Sequence, residues 1–85
     1  METKIANYRI IIEPEIQNGK KVYNAYCPTF DIADYGDSIE AVLKSIHDGI
    51  ELAIESLVEE GKEVPIDNIK EQVINSTEAA IPQKV

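Results

Sequence analysis

Asp31, Asp34 and Asp37 recur at intervals of three, and a carboxylate triplet of that kind offers two chemistries. Paired carboxylates can serve as general acid and base. Oxygen ligands at short spacing can also hold a hard cation such as calcium. The order D-x-[DN]-x-[DN]-G of a calcium-binding loop is absent, and a helical pattern follows the loop on one side only. Solvated loop acids are therefore the default. His47 and Cys27, each the single residue of its type, belong to different elements and form no metal-ligand cluster. No G-x-S-x-G, G-x-G-x-x-G or P-loop pattern occurs. Residue chemistry thus points away from an enzyme and towards a protein that works through its surfaces, with no cofactor.

A chain of 85 residues makes one domain, residues 1–85. At this size folding buries roughly 60–65% of the surface of the unfolded chain, and association with another chain adds stability. An apolar share of 44% is that of a folded domain. Net charge is −8, from 8 basic and 16 acidic residues. Nucleic-acid binding requires clustered Lys and Arg, and none is present. The charge suits either a solvated acidic surface or a basic partner. One cysteine excludes an internal disulfide and fits a reducing cytoplasm. The first residues carry no signal-peptide pattern and the chain has no apolar run long enough to cross a membrane.

The elements that must position these residues follow from periodicity. Residues 5–27 read as a β-hairpin closed by Asn18-Gly19, because a type I′ turn needs φ > 0 at both central positions. That turn sets Gln17 opposite Lys20, Pro14 opposite Tyr23, Ile12 opposite Ala25 and Ile10 opposite Cys27. One face then carries Tyr8, Ile10, Ile12, Pro14, Tyr23, Ala25 and Cys27. The other carries Arg9, Ile11, Glu13, Glu15, Val22, Asn24 and Tyr26 and is mixed, as one-sided burial requires. Pro14 cannot donate to a ladder, so the strand bends there or has an open edge. Residues 29–36 hold a short strand around Ile32-Ala33 or a plain loop.

A helix is predicted over 38–60, with apolar residues at 39, 42, 43, 46, 50, 53, 54 and 57 on one face. Asp37 (with Glu40 three residues on) and Ser38 are rival N-caps. Gly61 and Pro65 end the helix. Beside the core face run Ser45, Gly49, Ala53 and Ser56. Small residues there allow close packing of helix on sheet, or a helix–helix contact in an oligomer. Residues 62–72 form a link with a helical turn near Asp67 to Glu71. Residues 73–81 are a final strand or a short helix, before a tail from Pro82.

Taken in order, these features resemble the HicB-like antitoxin family. Tyr8-Arg9-Ile10-Ile11-Ile12-Glu13 matches its early Y-x-[VI]-[VI]-x-E. Asn24-Ala25-Tyr26-Cys27-Pro28-Thr29 matches the spacing of its V-A-Y-V-P-D strand. Gly36-Asp37-Ser38 matches its G-D-[ST], and Gly61 to Pro65 its Gly-x-x-x-Pro. Asp31-Ile32-Ala33-Asp34 stands where L-P-G-C is usual, and Ala41-Val42 where Glu-Ala is usual. The resemblance, over residues 8–65, implies an α+β chain with a partial ribonuclease-H-like fold: an antiparallel sheet of three to four strands with one long helix across one face, without that fold's catalytic carboxylates. It implies an antitoxin that binds a small basic HicA-like RNA-cleaving toxin and masks its active site. About 20 residues follow Pro65, too few for a helix-turn-helix domain, so direct DNA binding is not expected.

Ile11, Tyr26, Phe30 and Tyr35 are the candidate partner-contact residues, with core burial the alternative for each. A homo-oligomer, dimer or tetramer, is expected as well. The rival readings are a structural or regulatory oligomer without a toxin, and an enzyme or metal-binding protein using the 31–37 acidic loop.

Overall fold

Asn18 and Gly19 close the first hairpin in a computed structural model that describes residues 4–67 and 75–83. Their φ angles of 52° and 74° are the left-handed values a two-residue type I′ turn demands. The turn sets the register of β1 (Ile11–Gln17) against β2 (Lys20–Cys27), with Gln17 opposite Lys20, Pro14 opposite Tyr23 and Ile12 opposite Ala25. In such a hairpin the pair next to the loop exchanges both backbone bonds, and bonded and non-bonded pairs then alternate. Pro14 falls on a non-bonded pair, so its missing N–H lies at the open edge of the sheet and costs no ladder bond.

The ladder is shorter than the sequence predicts. It ends at the pair Ile11–Tyr26, and residues 4–10 form no strand. The Arg9 backbone N–H, next in line, donates instead to Asp67 Oδ2 at 2.7 Å. Its position opposite Pro28 has no donor to offer in return.

A third strand, β3 (Ile32–Gly36), pairs antiparallel with β2, from Cys27–Ile32 to Tyr23–Gly36. The sheet order is β1-β2-β3. A turn with an Asp31 N–H to Pro28 carbonyl bond of 3.3 Å, and Asp31 at φ 54°, reverses the chain between β2 and β3. Aspartate tolerates the left-handed region better than most non-glycine residues.

The helix α1 (Ile39–Glu59) packs on β2 and β3. Ser38 is its N-cap, its hydroxyl accepting the Ala41 N–H at 3.0 Å. Gly61, at φ 70°, closes the other end: Lys62 N–H bonds the Leu57 carbonyl at 2.9 Å and Gly61 N–H the Val58 carbonyl at 3.1 Å. These are the two bonds of a Schellman stop.

The core joins Ala25 and Cys27 of β2 to Val42, Ile46 and Ile50 of α1, with Tyr8, Ile10, Ile12, Tyr23, Phe30, Ile32 and Ile54 packed round it. Ile39 and Leu43, predicted on the apolar face of the helix, are 48% and 41% exposed. The helix lies over β2 and β3, so the buried seam narrows to the line 42–46–50 and the flank towards residues 6–10 stays open. The small-residue stripe meets the sheet at Ser45 and Gly49. A Cβ on Gly49 would stand 3.7 Å from Ile32, and the Ser45 hydroxyl donates to the Asp34 carboxylate. At Gly36 the approach is closer, since a Cβ there would stand 3.0 Å from the Val42 backbone nitrogen.

After α1 the chain is tied back to the start of the fold. Tyr8 OH donates to the Pro65 carbonyl at 2.8 Å, and the Arg9 guanidinium grips both Asp67 oxygens at 2.8–2.9 Å. The predicted last strand is not formed over its described part: residues 75–81 are irregular and exposed, and among the described residues the sheet has three strands. Its first two residues, and the turn expected beyond Asp67, lie outside the described residues.

Candidate functional site: the open sheet face

Side chains alternate across a strand, so the face turned away from α1 follows directly from the register. One row across it is Ile11, Tyr26 and Ala33; the next is Glu13, Asn24 and Tyr35; Glu15 and Val22 form a third. Tyr35 is 68% exposed, Tyr26 39% and Ile11 38%. Between them lies a groove of about 410 Å³ lined by Ile11, Glu13, Asn24, Tyr26, Ala33 and Tyr35 among others. Val22 is buried on this same face, outside the main core cluster. Its cross-strand neighbour Glu15 accepts hydrogen bonds from Asn24 and Gln17, which fixes polar side chains around it.

Of the four candidate contact residues, the structure brings three together: Ile11, Tyr26 and Tyr35 share this face. Phe30 does not join them. It packs on the Tyr8 ring at a centroid distance of 5.0 Å and lies against the core. The chain turns between β2 and β3 at this point, and that turn carries Phe30 to the helix side. Glu13, Asn24, Ala25, Ala33 and Asp34 also line the groove, and sequence reasoning does not single them out as contacts. Strand parity alone places Glu13 and Asn24 on this face. Ala33 and Tyr35 require the β2–β3 register, which no local signal specifies.

The three aspartates diverge. Asp31 accepts from Tyr26 OH at 2.8 Å, and this bond is the main cause that raises the Tyr26 phenol above its ordinary pKa. Asp34 turns to the helix side, where it takes the Ser45 hydroxyl and, through Oδ1, the Tyr35 N–H at 2.8 Å. Asp37 is exposed before the helix cap. Among the described residues no three His, Cys, Asp or Glu side chains come together to hold a metal ion. His47 Nε2 lies 2.9 Å from Glu51 on the exposed helix surface, and Cys27 is fully buried in the core.

Neither edge invites another strand. Pro14 removes one outward donor from β1. On β3 the alternation of bonded pairs turns the Ala33 and Tyr35 N–H groups outward, and Asp34 already takes the second.

These features define a small α+β protein with one sheet face under a helix and the other left open. No family model matches the chain, and no solved structure matches it significantly. Over 67 residues the chain is 36% identical to the UPF0150 protein ssr1765 of Synechocystis sp., a match that covers 78% of this chain and 81% of that relative. The chain belongs to the UPF0150 family. Among the described residues no helix is long and apolar enough to cross a membrane.

Proposed function

We propose that this chain is a cytoplasmic antitoxin-like protein that binds and neutralises a small basic HicA-like RNA-cleaving toxin. The observation that carries the reading is the open sheet face. It exposes Ile11, Tyr26 and Tyr35 beside the carboxylates Glu13 and Glu15, in a chain of net charge −8. Exposed aromatics flanked by acids suit a basic protein surface: the rings supply anchor area and the acids oppose a wrong-charged partner. Neutralisation proceeds by occlusion, the face covering the toxin's active site and competing with RNA for its cations. The sheet with one helix is, on this reading, a partial ribonuclease-H-like fold used as a scaffold and not as an enzyme. Membership of the UPF0150 family and the motif order from Tyr8 to Pro65 support the reading.

Co-expression with a small basic histidine-containing toxin encoded beside the gene tests it. Growth should be rescued and a complex should co-purify. Continued toxicity with both proteins present in soluble form would sink the proposal.

A second reading, a non-catalytic structural or regulatory oligomer, draws on the exposed apolar residues Leu52 and Val58 of the helix, 64% and 62% exposed. Sedimentation of the chain alone tests it. A monomer at high micromolar concentration speaks against it.

A further inference from the structure

We infer that the groove on the open sheet face is a receptor for a cationic side chain, an arginine presented by a basic protein partner. It rests on the proposed function for its partner but not for its geometry. The groove runs between two tyrosines set diagonally on adjacent strands, Tyr26 of β2 opposite Ala33 and Tyr35 of β3 opposite Asn24. Small Ala33 leaves the floor low between the rings. Glu13, directly across from Asn24, closes the far end. Its carboxylate makes no hydrogen bond or ion pair among the described residues, while Glu15, Asp31 and Asp34 are each engaged.

Two tyrosine rings along the groove and one carboxylate without a partner among the described residues make the chemistry specific. A guanidinium is planar, stacks on an aromatic ring and pairs with a carboxylate through a fixed fork of donors. An ammonium satisfies the charge but not the stacking. A phosphate or carboxylate ligand meets no Lys or Arg in the groove, and the two charged residues that line it, Glu13 and Asp34, are both acidic. A polypeptide strand adding to the sheet has little purchase, because Pro14 and the Asp34 carboxylate blunt the two edges. What docks here therefore arrives onto the face, side chain first.

The probe is N-acetyl-Gly-Arg-Gly-amide, titrated into the full chain and followed by amide chemical shifts, with the neutral citrulline peptide as its isostere. The arginine peptide should shift the Asn24, Ala33 and Tyr35 signals in a saturable way, and citrulline should bind about fivefold more weakly. Glu13→Gln should weaken arginine binding by a similar factor. Tyr35→Phe should keep it and Tyr35→Ala should lose it. Equal shifts with both peptides, or arginine shifts that survive Glu13→Gln unchanged, overturn the inference. Toxin rescue separates the two proposals. Rescue undiminished in a Glu13→Gln, Tyr35→Ala double variant overturns the groove and leaves the antitoxin reading standing. Arginine-selective shifts with no rescue by the natural sequence do the reverse.

Discussion

Two aromatic residues five positions apart, Phe30 and Tyr35, look alike in the sequence and differ in the fold. Phe30 packs on Tyr8 beside the core, whereas Tyr35 is 68% exposed. Phe30→Ala should cost about 2 kcal/mol of stability, because a half-buried ring and its aromatic contact are both lost. Tyr35→Ala should leave the denaturation midpoint within experimental error and act only on binding. Urea unfolding of the two variants checks both outcomes. Asp67 carries a different kind of prediction. Its carboxylate has no solvent exposure and is gripped by the Arg9 guanidinium and backbone N–H, which hold its pKa below the usual carboxylate range. A carboxylate depressed in the folded state stabilises it fully above the unfolded value of about 3.9, and that contribution fades as pH falls through the lower folded value. Melting temperature should accordingly drop on acidification below about pH 4 in the natural sequence. Asp67→Asn should melt lower at neutral pH and lack that part of the acid dependence.

At the level of elements, local chemistry accounts for most of what formed. Asn18-Gly19 set the hairpin register to the residue, and Gly61 ended the helix through a left-handed stop. Sequence does not separate the rival N-caps, since Asp37 and Ser38 are both good acceptors. The structure selects Ser38, whose hydroxyl reaches the Ala41 N–H. Ser38→Ala should therefore cost about 1 kcal/mol, while Asp37→Ala should cost only a few tenths, as read by thermal denaturation of each variant. The third strand shows the opposite case. Ile32–Gly36 lacks a long β-branched run, and its pairing depends on β2 as a template and on α1 above it. Local propensity is a weak guide where neighbouring strands decide the state.

At the scale of the whole molecule, the proposed binding of a basic partner by this acidic chain, through a mixed polar and apolar face, should show a marked salt dependence. Raising ionic strength from about 0.05 M to 0.5 M should weaken a toxin complex by about tenfold, mostly through slower association. An interface held by apolar burial alone would change little across that range, and surface plasmon resonance distinguishes the two. The net charge of −8, from 8 basic and 16 acidic residues, is legible in the amino-acid sequence by itself. So are the hairpin, the long helix and the parity that sets Ile11, Glu13, Asn24 and Tyr26 on one face. Those properties depend on residue type and on short-range geometry, in which a turn or a helix constrains only its own neighbours. Tertiary structure alone decided that Tyr35 joins this face while Phe30 leaves it, that the three aspartates diverge, and that Arg9 reaches across the fold to Asp67. Each of these depends on the β2–β3 pairing or on the path of the chain after the helix. Contacts between residues as far apart as 9 and 67 leave no local periodicity, and only the packed chain brings them together.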